Sequence, residues 1–299
     1  MHDPRSISPG RGWERLLAHL ERGTVLVVGS PDSGKTTLAR WLVGQLGRSL
    51  ERVGLVDCDP GQSSIGVPGC LGLALTGPWE APAALWYVGS TSPGGHLLPA
   101  VVGAARLAER ARAQGARAVV LDAPGMVDGA VGRVLQHHLA HAAGVDQVVV
   151  IGEEEGGPSG PLLALLRDGS RRLERLAPAA GARSRGRAER RSYREARFAA
   201  HLAGARTRFF SPGRIVGREW APAQRGELAT GTVLGLLDDE GFCLGLGVVE
   251  EVHADRVAVR TPVTDVPVVR LMVGDFRLDP EGRELVAPEG RDAEPPEGG

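Results

Sequence analysis

Nine residues, Gly29-Ser-Pro-Asp-Ser-Gly-Lys-Thr-Thr37, constrain this chain more than any others. They fit the pattern G-x-x-x-x-G-K-[ST] and follow the apolar run Thr-Val-Leu-Val-Val that starts at Thr24. From Lys35 to Leu46 the apolar residues return at helical spacing. A buried strand feeding a glycine-rich loop, which in turn opens a helix, points several backbone N–H groups at one place. That arrangement is an anion site, and for this motif a site for nucleoside triphosphates.

Lys35 is the only lysine in the chain; the other basic side chains are arginines. A slim ammonium on a flexible stem enters the curled loop as a point charge, whereas the broad guanidinium fork does not take the same place. The motif therefore assigns Gly29, Ser30, Pro31, Asp32, Ser33, Gly34, Lys35, Thr36 and Thr37 to the phosphates. Within it, Lys35 reaches the β- and γ-phosphates and the Thr36 hydroxyl serves Mg²⁺.

The strand-like runs continue at 53–57, 85–89, 118–122 and 147–152, separated by helical segments at 97–114 and 131–143. Short apolar runs with little alternation suit strands buried on both faces. The expectation is a three-layer α/β P-loop domain with a mainly parallel sheet, over residues 1–208. Beyond Phe209 the texture changes to short β-type runs broken by Asp-Asp-Glu-Gly and His-Ala-Asp turns. This reads as a small β domain over 209–286. The Pro/Gly/acid-rich remainder, 287–299, reads as a disordered tail.

Charge is unevenly spread. Between Arg167 and Arg197 eleven arginines face four acids, a local balance of +7 that leaves −8 for the rest of a chain whose net charge is −1. Two readings stand, a polyanionic ligand or a solvated helix face. No apolar run approaches the ~18 residues of a membrane span, and the N-terminus lacks a signal-peptide core, so the cytoplasm is expected. Three scattered cysteines suit a reducing compartment. The chain has no asparagine; that absence and the arginine bias point to a GC-rich, thermophilic bacterium.

Two acidic stretches complete the phosphate site. Asp57 and Asp59 leave the second strand in Leu-Val-Asp-Cys-Asp-Pro-Gly-Gln, and Asp122 ends a later one. Aspartates at such strand ends hold Mg²⁺ directly or through water. The guanine-selecting motif [NT]-K-x-D needs a lysine already used, which argues against an ordinary GTPase. A kinase, an ATP-driven switch and an inert binding module remain.

These stretches, together with "VGSTSPGGHLL", "LDAPGMVDG" and "SRGRAERRSYREARFAAHL", occur in an order that resembles the polynucleotide 5′-hydroxyl kinases. That family includes the kinase subunit of the eukaryotic mRNA cleavage factor, the ribosomal-RNA-processing kinase and shorter archaeal relatives. The chain reads as a short prokaryotic member. The resemblance implies transfer of the γ-phosphate of ATP to 5′-hydroxyl ends of RNA or DNA, single-stranded or duplex, with Mg²⁺. Asp59 matches the aspartate that contacts the attacking hydroxyl, with Gln62 in the same motif, and Asp57 a neighbouring acid near the metal. Arg185 and Arg190 match lid arginines within a lid at 183–202, with Arg194 behind them. Gly125 matches the glycine of a substrate clasp, where Ala123 and Met126 replace the family's threonine and tryptophan. His96 stands in a family-like loop that faces substrate. An ATP-binding assembly factor for RNA processing, with little turnover, is the rival function. Trp13 either borders the adenine or packs in the core. His137 and His141, at i, i+4, have the spacing of metal ligands without an evident third. For the β domain, nucleic-acid binding, partner docking and bracing all remain open.

Overall fold

The computed structural model describes residues 9–285 apart from 11, 18–19, 21, 77–81, 153–159, 168, 178–184 and 218–227. The expected tail at 287–299 and the first lid residues, 183 and 184, lie outside the described residues.

A short helix α1 (Trp13–Leu17) precedes β1 (Gly23–Gly29) and α2 (Lys35–Leu46). Three strands follow, β2 (Val53–Asp57), β3 (Cys70–Leu75) and β4 (Ala84–Tyr87). Then α3 (Leu97–Ala113), β5 (Ala118–Asp122), α4 (Gly129–Ala142), β6 (Gln147–Ile151), α5 (Gly160–Leu166) and β7 (Arg172–Leu176) alternate. They form a seven-stranded sheet in the order β4-β3-β2-β5-β1-β6-β7. Every neighbour pair from β2 to β7 is parallel, while β3 and β4 add an antiparallel edge.

The sheet is covered on both faces, which explains its unbroken apolar strands. Leu26 and Val28 of β1 pack toward α3, α4 and α5, whereas Val25 and Val27 pack toward α1 and α2. Trp13 is buried with its ring centroid 5.3 Å from that of Trp41, so it serves the core.

Helix α6 (Arg187–Leu202) leads to the second sheet, built from β8 (Arg206–Phe210), β9 (Ile215–Val216), β10 (Thr232–Leu237), β11 (Cys243–Val252), β12 (Val257–Thr261), β13 (Arg270–Leu278) and β14 (Glu284–Leu285). Its order is β14-β13-β10-β11-β12-β8, antiparallel throughout, with β9 parallel to β13. The sheet thus begins at Arg206, slightly ahead of 209.

The two sheets share a core. Phe198 and Leu202 of α6, Tyr87 of β4 and Cys70 of β3 pack with Val233, Cys243 and Leu246 of the second sheet. The Tyr87 hydroxyl donates to the Val233 carbonyl at 3.2 Å. A buried tyrosine needs such a partner, and here the bond ties one sheet to the other.

Candidate active site

Strand order brings the phosphate loop and the acids together. In the ladder Asp57 lies opposite Asp122, and Asp122 lies opposite Val27 of the strand that feeds the loop. The loop turns into α2 through Gly34 at φ +97°, a conformation costly for other residues. Lys35 is 7% exposed and donates to the Ser30 carbonyl at 2.6 Å. Burial pulls its pKa below the ordinary lysine value, and the charges of Asp122, Asp59 and Asp32 oppose that shift.

Thr36 Oγ1 donates to Asp122 Oδ2 at 2.5 Å. Burial pushes the Asp122 carboxyl up to about 7, the Asp57 charge adding and the Thr36 bond opposing. Asp57 is pushed up to about 6, again chiefly by burial, against the bond it accepts from the Ser64 amide. Its Oδ2 takes both the Ser64 amide, at 2.5 Å, and the Ser64 hydroxyl, at 2.8 Å.

Asp59 builds its own turn. Its Oδ1 accepts the amides of Gly61, at 2.8 Å, and Gln62, at 3.0 Å. Neither bond uses Oδ2. The Gln62 side-chain amide donates to the Gly61 carbonyl at 2.9 Å, and its buried Oε1 has no hydrogen-bond partner among the described residues.

From the far end of the chain, α6 lies against this cluster. Arg185 and Arg190 both pair with Asp32, at 3.2 and 2.9 Å. Further along the helix, the Tyr193 hydroxyl donates to the Ser63 carbonyl at 3.0 Å, and Arg197 donates to the carbonyl of Gly66. Arg194 makes a two-point pair with Glu284 of β14, whose backbone carbonyl also accepts from Arg191 at 2.6 Å. The second sheet therefore braces α6.

A cavity of about 760 Å³ opens among these residues. It is lined by Lys35, Thr36, Asp57, Asp59, Gln62, Asp122, Gly125, Met126, Arg185, Arg190 and Arg194, along with Pro31, Asp32, Gly34 and Thr37 of the loop. Gly125 sits close over the loop, since a Cβ there would meet Pro31 at 2.9 Å. Gly29, Ser30 and Ser33 are not among the lining residues; the Ser33 amide donates to the Ser30 carbonyl at 3.3 Å within the loop. His96 is not among the lining residues; its ring stands 3.5 Å from the Gly94 carbonyl at the start of α3. The loop that carries it reaches the cavity through Thr91, Ser92 and Pro93.

Tyr193, Arg40 and Ser64 also line the cavity without having been singled out from sequence. Each lay inside or beside a stretch already of interest: Tyr193 within the arginine run, Ser64 after Gln62, and Arg40 on α2 after the loop. Nothing local said which face they would take.

A hydrated cation suits this floor. Asp122 Oδ1 is buried without a hydrogen-bond partner among the described residues, beside the carboxylate oxygen that Thr36 already engages. Among the described residues no three His, Cys, Asp or Glu side chains group as ligands of one ion. A divalent ion here would complete its shell with the Thr36 hydroxyl, phosphate oxygens and water, as Mg²⁺ characteristically does. The His137 and His141 rings are 4.4 Å apart, and Arg171 contacts the latter at 2.9 Å; no third ligand joins them among the described residues.

Fold and cavity together define a P-loop nucleotide-binding protein. The family model described as mRNA cleavage and polyadenylation factor CLP1 P-loop matches residues 29–204, and the chain belongs to that family. It is 25% identical to a polyribonucleotide 5′-hydroxyl-kinase of Pyrococcus furiosus, over 91% of this chain and 92% of the relative. A Thermococcus kodakarensis protein of the same name is 27% identical over 91% of this chain and 93% of its own length. These long matches are to archaeal proteins. A solved Clp1p–Pcf11p complex superposes with a TM-score of 0.65 at 14% identity, over 89% of this chain and 77% of Clp1p, which supports the shared fold.

Proposed function

We propose that this protein is an ATP-dependent polynucleotide 5′-hydroxyl kinase acting on RNA ends. The observation that carries the reading is the joint placement of Lys35, Thr36, Asp59, Asp122, Arg185 and Arg190 around one cavity. The names of its archaeal relatives point to the same reaction.

Phosphoryl transfer needs alignment and charge neutralisation more than covalent help. The loop amides and Lys35 hold the β- and γ-phosphates of ATP. Asp59 faces the acceptor side; its carboxylate takes the proton as the 5′-oxygen bonds to the γ-phosphorus and the bond to the β,γ-bridging oxygen breaks, releasing ADP. Arg185 and Arg190 stabilise the charge on the moving phosphoryl from the lid, where a fork can engage two oxygens at once. Thr36 and Asp122, with Asp57 and Asp59 through water, would hold Mg²⁺, which supplies charge neutralisation at the phosphates. The +7 segment supports a polyanionic acceptor. DNA ends and duplex ends are further acceptors of the same chemistry. The cytoplasm suits the reduced cysteines, all three of which are free and buried. No helix among the described residues is long and apolar enough to cross a membrane.

The test is transfer of labelled γ-phosphate from ATP to 5′-hydroxyl oligonucleotides, RNA and DNA compared, with and without Mg²⁺. Tight ATP binding with no labelled product on any acceptor would favour the assembly-factor reading instead.

A further inference from the structure

The structure assigns to Asp32 a role beyond shaping the phosphate loop: its carboxylate positions the two lid arginines over the site. This rests on reading Arg185 and Arg190 as the arginines that meet the transferring phosphoryl.

Phosphate binding by such a loop uses backbone N–H groups, so it makes no demand for an acid at this position. Asp32 is the one non-glycine residue with positive φ among the described residues, at 60°. Aspartate, asparagine or glycine tolerates that conformation, so the backbone alone does not explain the carboxylate.

What the carboxylate touches does explain it. Asp32 Oδ2 accepts the Arg185 amide at 2.9 Å and Arg190 Nη2 at 2.9 Å, while Oδ1 accepts Arg185 Nε at 3.2 Å. These partners are 153 and 158 residues away, so the contacts belong to the tertiary fold and not to the local turn. The Asp32 side chain is 10% exposed beneath arginines that are 41% and 30% exposed. The amide bond also fixes the chain just before α6 begins, at its entry through Gly186.

A guanidinium has five N–H donors. Asp32 takes Nε from Arg185 and one terminal nitrogen from Arg190, which leaves further donors of both forks for phosphate oxygens. One carboxylate thus holds two cations side by side at the mouth of the phosphate loop. Without it, their mutual repulsion and side-chain entropy would have to be met when ATP binds.

Two readouts test this on the full-length protein. Native trypsin digestion, with cut sites read by mass spectrometry, reports lid release without turnover. Asp32→Asn keeps the turn but loses the charge, and should raise cleavage after Arg185 and Arg190 by about fivefold or more, with other sites unchanged. In transfer assays the same change should lower kcat about tenfold, while the Kd of a fluorescent ADP analogue moves less than about threefold. In an Arg185→Ala/Arg190→Ala background, Asp32→Asn should have no further effect on transfer. An equal loss in both backgrounds, or unchanged lid cleavage, overturns the inference and leaves the kinase reading standing. If the wild type transfers nothing, the kinase reading fails and cleavage alone decides the lid contact. Should Asp32→Asn fold poorly, Arg190→Gln removes the same ion pair from the other side, with cleavage after Arg185 as its readout.

Discussion

The hydroxyl of Thr36 and the carboxylate of Asp122 are joined by a 2.5 Å hydrogen bond between residues 86 apart in sequence. One stands at the first turn of α2 and the other at the end of β5, so the bond closes the floor of the phosphate site. Lys35 and the other acids are arranged around it.

Lys35→Ala should leave this floor and the fold intact and abolish transfer. Its ammonium donates to the Ser30 carbonyl, a single bond across the loop. Loss of a charge that acts mainly in the transition state costs about three to five decades, or ~4–7 kcal/mol. A well-folded variant that keeps more than about a tenth of wild-type activity contradicts the assignment.

Asp59→Asn should preserve the turn, because the amide oxygen can still accept from Gly61 and Gln62, and should retain nucleotide binding. Transfer should fall by about two to four decades, since an amide takes no proton from the 5′-hydroxyl. If Asp122→Asn proves the more damaging change at unaltered metal affinity, the proton acceptor has been misassigned.

Arg185→Ala and Arg190→Ala should each lower kcat strongly and alter ATP affinity far less, the mark of an interaction made chiefly in the transition state. Lysine at either position restores charge without the fork and should rescue only in part. Arg187→Ala, in the same run but outside the cavity lining, should be nearly neutral. Similar small losses in all three alanine variants would make the run a diffuse nucleic-acid tether.

His201, near the end of α6, accepts the Leu246 amide at 3.0 Å and so clamps this helix to the second sheet. Burial pulls its pKa down to about 4, with the Arg197 charge adding. Because the folded value lies below the unfolded one, its contribution is complete above about pH 6.5 and is lost as pH falls toward 4. The span corresponds to about 3 kcal/mol. The raised carboxyls of Asp57 and Asp122 act in the opposite sense over the same window, so the check is a comparison. In urea melts the wild type should lose stability toward pH 4 relative to His201→Gln, which keeps an acceptor. A difference between the two that stays constant with pH would mean that other groups carry the acid sensitivity.

The phosphate loop, its flanking strand and helix, and the parallel character of the first sheet were all legible in the amino-acid sequence. Each depends on local pattern: glycines at fixed spacing, a lone lysine, and apolar runs whose alternate residues serve two helical layers. Strands β3 and β7 were not read, because Cys-Leu-Gly-Leu-Ala-Leu carries a glycine and Arg-Leu-Glu-Arg-Leu is an edge strand within a basic run. Which residues of the 90–96 loop reach the cavity could not be read either, since a loop residue's direction depends on how neighbouring elements pack. Tertiary structure alone decided which acid meets Thr36, which carboxylate holds Arg185 and Arg190, and that Glu284 of the last strand grips Arg194. Those partners lie 86 to 158 residues apart. Local periodicity encodes which face of an element is buried, whereas strand order and helix docking decide which distant charges share a site.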